Sequence, residues 1–442
     1  MTSTATAPPT PRSRLGRPFG ALTTGVLTSN ASDGFVFFAA PLLVLTITKD
    51  PVAVAAVTAV TQAVPALFGL IAGSLADTRD RRALMLGSAL VRATVLAALL
   101  ALILLDAVTL PALFAALALF AAAELTFDIS SAASVPDVLT DIGHLEKAHG
   151  IIGAGQQVVQ GFVVGPFAAL FFAWSAELPF ALAAVLVVAS ALAMVALRRM
   201  LDDGATPAGP AVATTGAPDP APGLTFRERF AGGAQEVWTN RPLRDIITLT
   251  LLLVTFVGFG QAAYAYYMIE YLDVPTAVLG LVFMALGVGG VLGSVTVHRV
   301  AARLGRRTTL YVGVLLLAAG FGVVGVAPAG SAAPWVTAVG FFAAGVGSGW
   351  WNVLVIAARQ RLVAREKLGR VSGFLTTLNA FIAPAASLAG GLVTRVDPRL
   401  PWIVAAVGSA VTIALFGRLV RAVDDVAAPV SPHVPASPGG PS

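Results

Sequence analysis

The sequence predicts an all-α polytopic membrane protein with twelve transmembrane helices in two pseudo-symmetric six-helix bundles. Three observations lead to this prediction: the composition, the number of long apolar segments and an internal repeat. Hydrophobic residues make up 57% of the 442 residues and charged residues 12%, whereas charged residues usually make up about 25% of a soluble domain. The mean hydropathy of +0.84 indicates that lipid surrounds most of the chain.

Apolar segments of the length that a membrane requires occur along the whole chain. A helix needs about 20 mainly apolar residues to cross the hydrocarbon core, and twelve such segments lie between charged residues or breaks rich in Pro and Gly. We number them spans 1 to 12. Their predicted limits are 19–47, 53–76, 83–105, 110–134, 147–172, 178–198, 243–270, 276–298, 308–327, 333–357, 369–393 and 400–420.

Lys and Arg are concentrated at one end of the predicted bundle. If the N-terminus is cytoplasmic, the even-numbered loops and the two tails contain 24 of the 28 Lys and Arg residues. The opposite face has only Lys49, Arg395 and Arg399. Because short loops rich in Lys and Arg remain in the cytoplasm, we expect a multi-pass protein of the plasma (inner) membrane with both termini cytoplasmic.

The chain repeats itself at an offset of about 224 residues. Pro51 and Pro275 begin similar stretches 224 residues apart, and the Arg pairs that begin at Arg81 and Arg306 are 225 apart. Such a repeat indicates duplicated structural units. The predicted units are a disordered tail at 1–17, a six-helix bundle at 18–200, a linker at 201–241, a second six-helix bundle at 242–422 and a disordered tail at 423–442.

The linker contains a second, shorter helix signal. After a stretch rich in Pro, Ala and Gly, Thr225 and Glu228 have the spacing of a capping box. An apolar stripe at helical spacing follows, formed by Phe226, Phe230, Ala234, Val237 and Trp238. We predict an amphipathic helix on the cytoplasmic surface of the membrane; a solvated connector is the alternative.

The loop between spans 2 and 3 has the most specific motif. It reads Gly-Ser-Leu-Ala-Asp-Thr-Arg-Asp-Arg-Arg from Gly73 to Arg82 and resembles the G-x-L-A-D-R-x-G-R-R signature of the major facilitator superfamily of transporters. The corresponding stretch of the second half, from His298 to Arg307, keeps the basic end but lacks the Gly and the Asp. The resemblance implies the major facilitator fold of six plus six helices.

Four residues of this motif form a predicted conformational latch: Gly73, Asp77, Arg81 and Arg82. Gly73 lets two helices approach closely, and Asp77 can accept hydrogen bonds from helix N-terminal N–H groups or pair with a nearby Arg. The resemblance implies that the latch favours the outward-facing state and opens in the other state. A solvated basic turn would explain the two Arg residues but not Gly73 or Asp77.

Span 5 has a second motif. Gly161-Phe-Val-Val-Gly165-Pro166 resembles the start of a motif associated with antiporters of this superfamily, although helix packing alone also explains small residues one turn apart. An acid after the Asn in span 1, an Arg in span 3 and the stretch after span 4 are similar to those of the branch with enterobactin exporters and macrolide-efflux proteins.

Charged residues inside the spans are the candidates for proton coupling. A charge near the bilayer centre costs on the order of 3 kcal/mol or more, so Asp33, Glu124 and Asp128 each require a function. Glu124 and Asp128 are four residues apart and share a helix face. The matched depths of Arg92 and Asp128 predict that Arg92 is the charge partner of Asp128, which leaves Asp33 and Glu124 freer to bind and release protons. The alternative is that all four charges only hold helices together.

Amide and aromatic side chains concentrate in the spans that, by the resemblance, surround a central cavity: spans 1, 4, 7 and 10. Amides of spans 5 and 11 can bind substrate as well, or can form hydrogen bonds across helices. The predicted substrate-cavity residues are Asn30, Phe37, Gln157, Gln160, Gln261, Tyr264, Trp351, Asn352 and Asn379. We expect Asp33, Glu124 and Gln261 to face the cleft between the halves.

These observations favour a proton-coupled antiporter that exports a small amphipathic organic molecule, such as a drug, a siderophore or a secondary metabolite. The chain has no P-loop, no Cys and four His, so neither an enzyme nor a cofactor or metal site is predicted. The expected partners are the substrate, protons and the bilayer, with no nucleic acid, and the chain is expected to act as a monomer. An uptake symporter or uniporter of the same fold is the alternative, and a polytopic membrane enzyme is a remote one.

Overall fold

The computed structural model describes residues 15–139, 142–203, 226–262, 264–364 and 367–416, and within them the regular structure is entirely helical. Eleven of these helices are long and apolar enough to cross a membrane, and the shorter apolar helix Leu400–Leu415 stands in the twelfth position. Spans 1 to 12 are, in order, Gly16–Ile47, Pro51–Thr78, Arg81–Leu104, Leu110–Ser134, Leu145–Trp174, Leu178–Asp203, Arg241–Gln261 continued by Tyr264–Tyr266 and Tyr267–Tyr271, Thr276–Leu304, Arg306–Gly325, Ala333–Leu362, Leu368–Thr394 and Leu400–Phe416.

Short polar side chains fix the starts of several spans. Asp50 accepts a hydrogen bond of 3.0 Å from the backbone N–H of Val52, and Asp80 accepts one of 3.0 Å from that of Arg82. Thr109 and Asn240 cap spans 4 and 7 in the same way. These residues satisfy backbone N–H groups that the first turn of a helix leaves without partners. The observed first residues of these four spans lie within a few residues of the predicted ones.

Both halves have the same pattern of helix packing. In the first half, span 1 packs on span 6, span 2 on span 4, and span 3 on spans 4 and 6. In the second half, span 7 packs on span 12, span 8 on span 10, and span 9 on spans 10 and 12. The halves meet through spans 2 and 11 and through spans 5 and 8. Each contact thus has a counterpart six spans later, which confirms the predicted all-α fold of two equivalent bundles.

The bundles touch at one end of the molecule and separate toward the other. We call the end with the loops after spans 2, 4, 6, 8 and 10 the basic end, and the other the opposite end. At the opposite end Lys49 Nζ lies 2.8 Å from Glu270 Oε2, and Arg395 binds Asp50 through Nε at 2.9 Å and Nη2 at 2.5 Å. Among the described residues of the basic end, no ion pair joins the two halves.

Glycine contacts show the same separation along spans 5 and 8. Near the opposite end, a methyl group at Gly280 would collide with the backbone of Gly165. Two turns closer to the basic end, a Cβ on Gly287 would lie 3.3 Å from the carbonyl oxygen of Gly161. A Cβ on Gly153, closer still to the basic end, would meet no heavy atom within 4 Å. The cleft between the bundles therefore opens toward the basic end.

The helix predicted in the linker is Phe226–Thr239, which we call the linker helix. Its Phe230 ring lies 5.0 Å from the Phe374 ring of span 11, and Val237 is buried in the same cluster. Lys367 Nζ binds Glu236 Oε2 at 2.8 Å. Phe230 and Val237 of the apolar stripe therefore pack on the second bundle, whereas Trp238 is exposed. A position of the linker helix on the membrane surface stays a prediction. Residues 204–225 and the predicted tails, except residues 15–17, lie outside the described residues.

We expect Gly349→Ala to destabilise the second bundle. A Cβ at this position would lie 2.5 Å from the Gly290 carbonyl oxygen and 2.8 Å from the Ser294 nitrogen, so spans 8 and 10 must move apart, at a cost of about 1–3 kcal/mol. Thermal unfolding in detergent measures the effect. The matched control is Gly87→Ala in span 3, where a Cβ meets no atom within 4 Å and a gain of about 0.5–1 kcal/mol is expected. Equal unfolding temperatures for the two variants would contradict this packing.

Candidate functional site

A buried ion pair lies inside the first bundle. Arg92 Nη1 donates to Asp33 Oδ1 at 2.7 Å, and the two side chains are 0% and 2% exposed. The guanidinium carbon lies 4.9 Å from the centre of the Phe127 ring, in the geometry of a cation–π contact. Nε and Nη2 of Arg92 have no hydrogen-bond partner among the described residues. Asp33 is therefore enclosed between spans 1 and 3 and does not face the cleft.

This pair corrects two expectations. Arg92 was predicted to pair with Asp128, and Asp33 was predicted to face the cleft; instead Arg92 pairs with Asp33. The physical reason is that depth along a span can be estimated from sequence, whereas the rotation of the helix about its axis cannot. The rotation of span 1 turns Asp33 toward span 3.

Two carboxylates line a cavity of about 380 Å³ on the first-bundle side of the cleft. Glu124 and Asp128 of span 4 share this cavity with Phe37 of span 1 and with Thr58 and Gln62 of span 2. Glu124 is half-buried and Asp128 is exposed. Both carboxylates can therefore exchange protons or contact a solute without any movement of the bundle.

A second cavity, of about 300 Å³, lies on the side of the second bundle. Gln261, Trp351 and Asn379 line it, as predicted for substrate-cavity residues, together with Ser348. Thr58 and Gln62 line both cavities, so the two adjoin, and we call them together the central cavity. Gln261 is the last residue of a helix that ends inside span 7. No Lys, Arg or His is among the described residues that line either part, so the formal charge of the central cavity comes from carboxylates.

Several polar residues of the central cavity were not among the predicted cavity residues. They are Thr58, Thr61, Gln62, Ser348 and Ser387. Gln62 is an amide within an otherwise apolar span, which is the same signal that identified Asn379.

Other predicted cavity residues have structural roles or lie elsewhere. The Tyr264 hydroxyl donates to the Leu279 carbonyl at 2.8 Å, and only 9% of the residue is exposed. Gln160 Nε2 donates to the Asn30 carbonyl at 3.1 Å, which joins spans 5 and 1. Asn352 and Gln157 are exposed. The described lining of the central cavity includes none of these five residues: Asn30, Gln157, Gln160, Tyr264 and Asn352.

The described side chains among the predicted latch residues do not join the halves in this conformation. Arg81 donates to the Ala133 carbonyl at 2.9 Å and lies 3.3 Å from Asp137, both within the first bundle. Arg82 lies 3.3 Å from Asp202. A Cβ on Gly73 would meet no heavy atom within 4 Å, and the side chain of Asp77 lies outside the described residues. The open basic end accounts for this arrangement.

The span 5 motif lies at the contact between the bundles. A π-helical turn, Val159–Val164, precedes Gly165 and Pro166. Gly161 and Gly165 face Gly287 and Gly280 of span 8 at backbone distance. The small residues thus permit a close approach of the two halves.

Comparisons with known proteins agree with this architecture. The family model described as Major Facilitator Superfamily matches residues 22–387 and, in a second match, 261–438. A comparison with curated protein sequences finds no match.

Solved transporter structures share the fold. A bacterial homologue of the iron transporter ferroportin in the inward-facing state has a TM-score of 0.71 and 17% identity over 91% of this chain and 98% of that chain. The nucleoside transporter NupG has a TM-score of 0.67 and 13% identity over 91% and 99%. A POT family transporter in complex with a thioalcohol-conjugated peptide has a TM-score of 0.68 and 11% identity over 92% and 96%. Identities this low establish a common fold only.

We expect Arg92→Leu to reduce the yield of folded protein, because it leaves the Asp33 carboxylate buried without its partner at a cost of about 3–5 kcal/mol. The double variant Arg92→Leu/Asp33→Leu removes both charges and should recover most of the yield. The matched control Arg92→Leu/Asp128→Leu should not. Size-exclusion profiles of heated detergent samples measure the folded fraction. Recovery by the Asp128 variant instead would identify Asp128 as the partner of Arg92.

Proposed function

Because the chain belongs to the Major Facilitator Superfamily and is therefore a membrane transporter, we propose that it is a proton-coupled exporter of a small amphipathic organic molecule that acts by alternating access. The observation that carries this proposal is the central cavity, which lies between the two bundles and is lined by two carboxylates on one side and by amide and aromatic groups on the other. Such a lining suits a solute with a polar or cationic part and an apolar part.

The conformation corresponds to the inward-open state of the proposed cycle. In this proposal the basic end, at which the cleft is open, faces the cytoplasm; the Lys and Arg bias supports this orientation. Substrate would enter the central cavity from that side. The ion pairs at the opposite end, Lys49–Glu270 and Asp50–Arg395, would break when the protein opens outward. The predicted latch at Gly73, Asp77, Arg81 and Arg82 would form in that outward-open state.

Glu124 and Asp128 are the proposed proton carriers. Asp33, the first candidate from sequence, is held by Arg92, so its role becomes structural in this proposal. A carboxylate in the central cavity can bind either a proton or the polar part of a substrate, and this competition couples the two fluxes. Export rather than uptake is supported by the antiporter-like motif of span 5 and by the resemblance to the enterobactin-exporter and macrolide-efflux branch, which also suggests a role in drug resistance.

We expect Glu124→Gln and Asp128→Asn to abolish or strongly reduce uphill export while counterflow exchange of the same compound persists. A deletion strain is screened for sensitivity to amphipathic antibiotics and for metabolites lost from the medium. The compound so identified is then followed in reconstituted vesicles under an imposed proton gradient.

The matched control is Glu177→Gln, which removes a carboxylate from the loop between spans 5 and 6, away from the central cavity. Full proton-driven export by both cavity variants would contradict the coupling mechanism. Accumulation of the compound in the same direction as proton flow, rather than in the opposite direction, would identify an uptake symporter. A transport rate that does not change with the proton gradient would identify a uniporter.

We expect Asp50→Asn to open the opposite end, since it removes the carboxylate that Arg395 binds. The chain has no Cys, so spin labels at Leu105→Cys and Val396→Cys, which are 75% and 80% exposed, report the distance between the bundles. The variant should lengthen this distance, whereas Asp273→Asn, an exposed carboxylate of the same end, should not. Equal distances in both variants would contradict a role of the ion pair in closure.

In a variant whose cavity carboxylates are neutral, Glu124→Gln/Asp128→Asn, the same distance should be constant between about pH 5 and pH 8. Hydrogen bonds from Arg395 lower the pKa of Asp50. The ion pair therefore contributes fully above the usual carboxylate pKa of about 3.9, and its contribution is lost only as the pH falls through the lowered value. A change of distance at neutral pH would show that another titrating group controls the opposite end.

A further inference from the structure

A separate cavity of about 280 Å³ lies at the basic end of the second bundle, among spans 8, 9 and 10. Its walls are apolar and include Ala301 and Ala357. Three basic side chains line it as well: His298, Arg306 and Arg361. This cavity does not share a lining residue with the central cavity, and the transport proposal does not use it.

Comparison with the first half of the internal repeat shows that the described lining of this cavity lacks a carboxylate that pairs with Arg306. Arg306 corresponds to Arg81 at the offset of 225 residues, and Arg81 is neutralised by Asp137 at 3.3 Å. The position that corresponds to Asp137, at the offset of 223 residues for this loop, is Gln360. Arg306 and Arg361 make no ion pair with any residue that the structure describes. The first bundle thus supplies its own counter-charge, and the described part of the second bundle does not.

The start of span 9 adds N–H donors to the same place. In the first bundle, the Asp80 side chain caps span 3. The corresponding residue before span 9 is Gly305, with φ 81° and no side-chain cap. The first N–H groups of a helix carry partial positive charge and bind anions when no cap occupies them. Two Arg residues, a His and an uncapped helix start therefore surround a cavity with apolar walls.

We propose that this cavity binds the phosphate group of an anionic phospholipid. The guanidinium groups of Arg306 and Arg361 pair with the phosphate oxygens. The apolar walls near Ala301 and Ala357 contact the part of the lipid that adjoins the acyl chains. The cavity lies where two membrane spans end and a third begins, which is the depth of lipid headgroups. A soluble phosphate would leave the apolar walls without a partner, so the lipid is the better fit.

The test uses the full chain purified in a neutral detergent. Binding of dioleoylphosphatidylglycerol, with dioleoylphosphatidylcholine as the neutral comparison, is measured by native mass spectrometry and by the shift in unfolding temperature. The variant Arg306→Gln/Arg361→Gln should bind phosphatidylglycerol about tenfold or more weakly. Arg299→Gln/Arg303→Gln removes the same charge from exposed positions of span 8 outside the cavity and should change binding less than about twofold.

A third variant retains every Arg. Ala302→Asp introduces the carboxylate that the corresponding position of the first bundle, Asp77, has. It should reduce the preference for phosphatidylglycerol, because a carboxylate at this lining position competes with the phosphate for Arg306 and Arg361. Because this variant keeps the basic side chains, it remains informative if the double Arg variant fails to fold.

Three results would contradict the proposal that this cavity binds a phospholipid. Equal losses in the two double variants would mean that phosphatidylglycerol responds only to the overall charge of the basic end. Unchanged binding in Ala302→Asp would exclude this cavity. If inorganic phosphate at about 10 mM displaces phosphatidylglycerol and produces the same stabilisation alone, the site takes a free anion and not a lipid.

Discussion

A guanidinium buried in a membrane-spanning bundle requires a negative partner, and the Asp33–Arg92 pair meets this requirement in the first bundle. Removal of either charge from water is costly, so the two helices that supply them must remain in register. The Phe120 and Phe127 rings of span 4 lie against the same guanidinium. Spans 1, 3 and 4 are therefore held together around one charge-neutral centre, and the first bundle is suited to move as a rigid unit.

The neutral centre also determines the charge of the cleft. Because Asp33 and Arg92 cancel each other, the two carboxylates that remain on span 4, Glu124 and Asp128, have no basic partner among the described cavity-lining residues. The described interior of the second bundle presents amides, hydroxyls and aromatic rings to the cleft instead. The two bundles thus share one architecture, but among the described lining residues carboxylates come from the first bundle alone.

The fold could be predicted from sequence because its determinants are local and repeated. Segment length, the Lys and Arg bias and the offset between Pro51 and Pro275 each depend only on positions along the chain. The site could be predicted in part, since Gln261, Trp351 and Asn379 are polar or amphipathic residues in spans that face the cleft. The partner of Arg92 and the burial of Tyr264 depend on the rotation of each helix about its axis, which has no signal in the residue pattern.

The two ion pairs at the opposite end have a consequence for the setting in which the protein works. Lys49 is 76% exposed and Arg395 53% exposed, so both pairs are in contact with the medium on that side. Attraction between exposed charges is screened over about 8 Å at physiological ionic strength and over shorter distances in stronger salt. The closure of that end thus depends on the salinity of the surroundings, whereas the Asp33–Arg92 pair is shielded from it. In concentrated brine the opposite end would therefore be held closed less firmly than in fresh water.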